Sequence, residues 1–472
     1  MENRTDSLSV KTLRLLVGLA ILSFLPTLFL PYVGEEGFYT ISSMEMVYNN
    51  QWLIPSHYGL TYPRPPLVNW LMIPLTEIMG WDRILLASRL ITAMFTIGTG
   101  LLLMGFVKRV YGNPRLAVLV GIIFFSGDIL FKRGWLAYAD AHFSFFIFLA
   151  ISSMLLAVHE KRTWFFIGAL LGLVGAFMSK ALTGYVYYGV AVMVVLVLDK
   201  DGRKILFSPL SILLHLVALA YPFFWWSLVG GSGTDGGMLV AITSKLSGEG
   251  TTFALLPYLG KRLAFLGESF ARLLPGSMLL LWVFWKKREL PSFKNIPLMY
   301  IVAWFTLVNY LPYLLSPKTG IRYIMPLYPW FALLIAYLLE QRMDIKLGRW
   351  IVYLFGGLIA LKFMLGIFIY PWYETKFRGG DFKQTAEHVL QLTNGHPLYV
   401  NDVTSMGFCL TATIDTLQRP AAPLLMPEEG WSDGFILSSA PSDAKGRLVH
   451  TYEFARNDVY LLCRGTACPE DK

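Results

Sequence analysis

Glu35 and Glu36 stand side by side just after an apolar run from Leu15 to Tyr32. Two carboxylates at the surface of a membrane are unfavourable unless solvated, paired or used. One held at a dry interface can act as a general base or bind a cation. The plainer alternative is a hydrated cap on the following helix, where negative charge is favourable. Further on, Tyr62-Pro63-Arg64-Pro65-Pro66 sets one guanidinium among prolines. Proline fixes φ, so Arg64 is held in place. A held guanidinium suits a phosphate; pairing with lipid headgroups is the alternative. Asp140 follows Lys132 and Arg133 at the start of one apolar run, and Lys180 ends another. Lys318, Arg322 and Tyr323 share the turn Ser-Pro-Lys-Thr-Gly-Ile-Arg-Tyr, with Pro326 and Pro329 behind it. Each alone reads as an interfacial anchor. Together they gather carboxylates and cations on one membrane face, which suits transfer between lipid-anchored, phosphate-bearing molecules. His57 and Glu77 share the first loop and permit a divalent metal without demanding one.

The elements that position these residues are membrane spans. The chain has 472 residues, 55% hydrophobic and only 15% charged, with a mean hydropathy of +0.53. An average soluble chain is roughly a quarter charged, so a soluble enzyme and a disordered chain are both excluded. The net charge of +9 is explained by Lys and Arg flanking spans and by anionic lipid rather than by nucleic acid. A span needs about 20 mostly apolar residues. Runs of that kind lie at 15–32, 84–107, 115–131, 141–158, 164–179, 183–199, 208–229, 272–285, 297–315, 322–340 and 350–370. The first is longer than a usual signal core, and no small-x-small cleavage site follows it.

Charge orients the spans. With the N-terminus cytoplasmic, the inner loops carry Lys108, Arg109 and Arg115, then Lys161 and Arg162, then Lys200, Arg203 and Lys204. Lys286, Lys287, Arg288 and Lys294 follow, then Arg342, Lys346 and Arg349. The pattern is positive-inside throughout and puts the tail outside. The expected fold is a polytopic α-helical membrane protein of about eleven transmembrane helices. Residues 1–371 form the membrane domain, with outer loops at 34–82 and 231–271. Residues 372–472 form a small extracytoplasmic α/β domain. Residues 37–50 and 66–80 read as helices lying in the outer interface, the second interrupted by Pro74; a short true span is the alternative for 66–80. The Gly-rich start of 231–257 suits a lid or a plain linker. In the tail, 381–393 reads as a helix and 397–401, 434–439 and 457–463 as strands. Cys463 and Cys468 pair if the outside is oxidising, which leaves Cys409 odd.

No GxxxxGK[ST], GxSxG or HExxH motif is present. A transporter usually buries charge at mid-membrane in broken helices, whereas here charge collects at one face. A lipid or polysaccharide flippase is nevertheless the alternative to an enzyme, and a scaffold whose outer domain recruits partners is a third reading.

Four local patterns resemble the GT-C membrane glycosyltransferases, specifically those similar to the aminoarabinose lipid A transferase and the protein O-mannosyltransferases. One is the acidic pair leading into a Tyr-containing interface helix, Glu35-Glu36-Gly37-Phe38-Tyr39, on through Glu45-Met46 to Trp52-Leu53-Ile54-Pro55. The next is Arg64-Pro65-Pro66-Leu67 followed by Trp70. The third is Asp140 opening a span. The last combines Ser179-Lys180 with the Lys318 to Pro326 turn. The pair in such enzymes commonly opens with Asp, here Glu35, and the phosphate-side cation is commonly Lys, here Arg64. The resemblance implies inverting transfer of a sugar from a polyprenyl-phosphate donor, undecaprenyl phosphate if bacterial, on the outer leaflet of the inner membrane. Lipid A, another envelope glycan or protein would be the acceptor. It implies Glu35 as base with Glu36 as helper, and Arg64, Lys318, Arg322 and Tyr323 on the donor phosphate. Tyr39, Asp140 and Lys180 would line the sugar or acceptor pocket. No cofactor is implied with certainty; a divalent metal is compatible with the outer acidic and His residues.

Overall fold

The computed structural model describes residues 9–61, 64–180, 182–229, 255–287, 297–316, 320–377, 381–401, 403, 406–441, 446–454 and 457–469. Lys318 and most of the 231–257 stretch lie outside them. The chain is mostly helical. In order come α1 (Val10–Leu22), α2 (Glu36–Tyr48), α3 (Leu67–Met79), α4 (Ile84–Tyr111), α5 (Pro114–Ser126), α6 (Ala139–Glu160), α7 (Phe166–Lys180) and α8 (Thr183–Leu198). After these come α9 (Pro209–Leu228), α10 (Leu255–Arg272), α11 (Gly276–Lys287), α12 (Pro297–Leu315), α13 (Tyr328–Glu340), α14 (Ile345–Met364), α15 (Phe382–Thr393) and α16 (Met406–Gln418).

Among the described residues eight helical stretches are long and apolar enough to cross a membrane. A ninth is counted if α10 and α11, bent by 99°, form one span. The protein is thus a multi-pass membrane protein. The runs at 115–131 and 183–199 coincide with the shorter apolar helices α5 and α8. The run at 272–285 corresponds to α11, 12 residues long. At about 1.5 Å per residue, that is well short of a hydrocarbon core of about 30 Å. The 13-residue α3, within the stretch 66–80, is likewise shorter than a span.

Local chemistry sets the helix ends. Asn113 accepts from the amides of Arg115 and Leu116, with Pro114 as the first helical residue of α5, so two amides that the helix leaves unpaired are satisfied. Asp381 caps α15, which stops at Asn394 in the left-handed region (φ 45°), a conformation Asn tolerates.

The chain divides into two compact units. The first comprises residues 1–24, 93–135 and 139–362. Its spans pack through small residues: a Cβ on Gly172 of α7 would collide with the Ala150 backbone of α6, so close helix approach requires glycine there.

The second unit comprises residues 25–92, 136–138 and 363–472, and so cuts across the division expected at 371. The first outer loop belongs to the same compact body as the tail. Four strands, β1 (Leu398–Asn401), β2 (Gly434–Ser438), β3 (Arg447–Tyr452) and β4 (Val459–Arg464), form one sheet in the order β1-β2-β4-β3. The first pair is parallel, joined through α16, and the others are antiparallel. Three of these strands and α15 coincide with the sequence reading; β3 and α16 do not appear in it. The core under the sheet joins Phe382, Val389, Leu410, Leu437 and Leu461 to Ile41 and Met44 of α2. Cys463 and Cys468 form a disulfide, and Cys409 is free and buried.

Candidate functional site

The acidic pair is split by its environment. Gly34 turns the chain with φ 67°, and Glu35 sits at the N-cap of α2 with an exposed side chain. That side chain makes no capping hydrogen bond, and its N-cap position and exposure are compatible with the hydrated-cap alternative. The Glu35 backbone is fixed: its N–H donates to Tyr138 Oη at 2.7 Å, and that hydroxyl donates to the Val33 carbonyl at 3.2 Å. The Cys409 thiol donates to the Gly34 carbonyl at 3.2 Å. Two residues after Glu35, a Cβ at Gly37 would collide with the Phe408 carbonyl, so α2 and α16 meet backbone to backbone.

Glu36 was expected as a helper in the chemistry; its geometry gives it a different part. It is fully buried, as is its partner Arg89 of α4. Arg89 Nε and Nη2 reach its two carboxylate oxygens at 2.8 and 2.5 Å. The same oxygens accept from the amides of Val33 at 2.8 Å and Ala137 at 2.9 Å. Arg89 also donates to the carbonyls of Leu28, Leu30 and Pro31. A carboxylate with this set of donors is a bracket for the turn before Glu35, with no lone pair left for a reacting proton. Arg89 is absent from the sequence reading. A lone Arg within the apolar run 84–107 was the available signal.

Tyr39 lies four residues after Glu35, on the same helical face. Its hydroxyl accepts from Arg64 Nη1 at 3.4 Å, so the structure brings these two predicted residues together. Arg64 is exposed and precedes Pro65 and Pro66, with Pro66 as the N-cap of α3. Asn69 of α3 locks that helix to α2 by donating to Ser43 Oγ at 2.9 Å and to the Tyr39 carbonyl at 3.2 Å. Trp70 Nε1 donates to the Trp52 carbonyl at 2.8 Å. Glu45 of α2 is buried and accepts from Ser56 Oγ, from the Tyr58 amide and from the Gly59 amide. Desolvation raises its pKa against those bonds. His57 is pressed between Phe38 and Tyr58, and burial lowers its pKa to about 4. Glu77 accepts from Trp81 Nε1 at 3.1 Å. His57 and Glu77 thus have separate surroundings. Among the described residues no three His, Cys, Asp or Glu side chains gather as a metal set.

The other predicted residues lie in the first unit and cluster there. Asp140, at the start of α6, forms an ion pair with Lys180 at the end of α7. Lys180 Nζ lies 5.4 Å from the centre of the Tyr323 ring and 5.7 Å from that of Phe143. The Arg322 guanidinium covers the same Tyr323 ring at 5.2 Å. Tyr187 donates to the Tyr323 carbonyl at 2.5 Å, and Tyr313 stacks between Tyr187 and Tyr323, at 5.8 and 6.4 Å. The result is one acid and two cations around a tyrosine stack, with Arg133 in electrostatic reach of Asp140. Arg262 donates to the carbonyls of Leu314 and Ser316 at the end of α12, a favourable place for a cation. A second acid–base group, Asp128 with Arg272 at 2.5 Å and Lys132 at 3.7 Å, is absent from the sequence reading. It depends on a helix break at Gly127 that no motif marks.

Chemically, the second unit offers an exposed carboxylate on a rigid turn beside a Tyr–Arg pair. The first offers cations in an aromatic setting, able to hold a phosphate or a developing anion. Residues 63–226 match the family described as dolichyl-phosphate-mannose-protein mannosyltransferase. Among solved structures, ArnT from Cupriavidus metallidurans bound to undecaprenyl phosphate superposes with a TM-score of 0.71. The superposition covers 98% of this chain and all of that one, at 15% identity. The chain is folded like ArnT. The apo ArnT structure from the same organism gives a TM-score of 0.67 at 16% identity, over 95% of this chain and 97% of that one. An uncharacterized protein of Aquifex aeolicus (strain VF5) is 24% identical over 200 residues, 42% of this chain and 39% of its own length. The chain therefore spans well under half of that relative. The likeness in sequence to that family thus covers part of the first half of the chain, and the likeness in fold to ArnT covers nearly all of it.

Proposed function

We propose that this protein is an inverting membrane glycosyltransferase that uses a polyprenyl-phosphate-linked sugar on the outer leaflet of a bacterial inner membrane. The observation that carries the reading is the ArnT fold over 98% of the chain, seen in a protein that binds undecaprenyl phosphate. The positive-inside pattern supports a cytoplasmic N-terminus and extracytoplasmic Glu35, Arg64 and tail. In the proposed reaction Glu35 takes the proton of an acceptor hydroxyl. The oxygen attacks the anomeric carbon with inversion, the bond from that carbon to the lipid-phosphate oxygen breaks, and polyprenyl phosphate departs. Arg64, Lys318, Arg322 and Tyr323 hold the departing phosphate, as fixed cations and donors do for developing charge. Where the acceptor is itself an ionised phosphate, Glu35 orients rather than deprotonates it. Tyr39, Asp140 and Lys180 belong to the sugar or acceptor side. Glu36 acts through Arg89 by holding the turn. The acceptor is a cell-envelope lipid or glycan, lipid A among them, or protein.

The test is mass spectrometry of envelope lipids from cells with the gene, without it, and with Glu35→Gln. Loss of one sugar-sized mass from lipid A in both altered strains, with folded protein retained, is the expected result for a lipid A acceptor. An unchanged lipid A profile moves the acceptor to another glycan or a protein. Full activity of the Glu35→Gln protein removes Glu35 from the chemistry. A sugar that crosses the bilayer with no covalent product would make the protein a flippase.

A further inference from the structure

Within the second unit, α2 and the segment after α16 enclose a pocket of about 50 Å³, lined by Met44, Tyr48, Asp415, Arg419, Ala421 and Pro423 among others. One ordered water needs roughly 10–15 Å³ on this scale, so the pocket admits something larger. Asp415 is 4% exposed. Its Oδ1 accepts from the Leu424 amide at 2.8 Å, while Oδ2 is buried with no hydrogen-bond partner among the described residues. Such a group is costly to leave unmatched. Arg419 lies four residues on, yet its guanidinium does not pair with Asp415; it lies flat over the Trp81 ring at 3.6 Å. A buried carboxyl and a guanidinium that do not pair with each other line the same small pocket.

We propose that this pocket binds an ammonium-bearing phosphate, its ammonium on Asp415 and its phosphate on Arg419, as offered by an ethanolamine phospholipid headgroup or by free phosphoethanolamine. A simple cation would leave Arg419 unused, and a simple anion would leave the unmatched Asp415 oxygen without a partner. The surroundings agree. Burial holds the Asp415 carboxyl near a pKa of about 8, with Glu45 adding to the rise, so the empty pocket keeps a proton that an ammonium would displace. Tyr58, bonded to Thr411 at 2.6 Å, also faces Asp415, and Glu77 lies in electrostatic reach of Arg419. None of these belongs to the proposed transfer machinery.

The test uses the full-length protein in detergent, titrated calorimetrically with phosphoethanolamine at pH 7 in two buffers of different ionisation enthalpy. The wild type binds with release of close to one proton. Asp415→Asn keeps the shape of the protonated acid, so folding is preserved; it weakens binding by roughly tenfold or more and abolishes proton release. Arg419→Gln weakens binding by a similar factor. In parallel, the protein is reconstituted in nanodiscs of equal phosphatidylethanolamine and phosphatidylglycerol and released for native mass spectrometry. Retention of phosphatidylethanolamine by wild type but not by Asp415→Asn identifies a lipid headgroup. Binding of the free compound without lipid preference identifies a soluble source. No binding in either arm, or equal binding by both variants, overturns the proposal and leaves the pocket to water. Sugar transfer by Asp415→Asn stays at the wild-type level, so failure here is distinct from failure of the transferase reading.

Discussion

Replacing Glu36 by Gln separates the two members of the acidic pair by what each holds. Glu36 and Arg89 are both wholly buried, and the carboxylate also takes the amides of Val33 and Ala137. Removing one member of such a pair leaves the other charge buried without its counter-ion, which costs about 3–5 kcal/mol. In a cooperative unit of 150–250 residues each kcal/mol moves the melting point by about 2–4 °C. Glu36→Gln is therefore expected to melt on the order of 10 °C below wild type. Glu35→Gln, at an exposed position, changes stability by no more than about 0.5 kcal/mol and stays within roughly 2 °C. The assay is tryptophan-fluorescence melting of both variants in the same detergent, beside transfer activity. The double variant Glu36→Met/Arg89→Met replaces the pair by apolar groups and recovers much of the loss, because such replacement is often near neutral. A Glu36→Gln protein that melts like wild type refutes the bracket, as does a Glu35→Gln protein that falls equally far.

Three further outcomes are expected. Burial raises the Asp415 pKa from its ordinary value of 3.8 to about 8, so the folded chain holds a proton that the unfolded chain loses. Stability from this group is full below about pH 4 and falls by about 1.4 kcal/mol per pH unit up to pH 8; Asp415→Asn flattens that slope in pH-dependent melting curves. Gly37→Ala forces a Cβ into the Phe408 carbonyl, which separates α2 from α16. It lowers the melting point and reduces transfer together, whereas Ala at exposed Gly357, with open space around it, changes neither. Cys468→Ser opens the short loop closed by the disulfide. Chain entropy for a loop that short gives a loss of about 2 kcal/mol, read as a lower denaturant midpoint with transfer activity retained.

Hydropathy alone located the long helices, because a bilayer admits little else than apolar stretches of near-constant length. At α5, α8 and α11 the helices are 13, 16 and 12 residues long, shorter than the about 20 residues a straight span needs. Proline, glycine and charge at their ends decide that, together with packing that no running average senses. Glu35, Asp140, Lys180, Arg322 and Tyr323 were legible as residue types placed at or near the ends of apolar runs and Arg64 as a cation held among prolines, whereas Tyr39 entered only through the family resemblance. Three of the tail strands and α15 were legible from alternation and from the Asp381 cap.

Other features depended on contacts between residues far apart in the chain. Glu35 and Glu36 are chemically identical neighbours, and only Arg89, 53 residues away, makes one of them a bracket and leaves the other exposed. Nothing local tells that α2 shares a core with the tail, since Ile41 and Met44 read as an interfacial face until Leu410 and Leu437 are packed against them. Asp415 lies on α16, a helix absent from the sequence reading; only its burial in the fold raises its pKa. Sequence determined which groups are present and which stretches prefer lipid, because transfer free energy is additive along a chain. Tertiary structure decided which charges are paired, because pairing depends on distances that chain order does not contain.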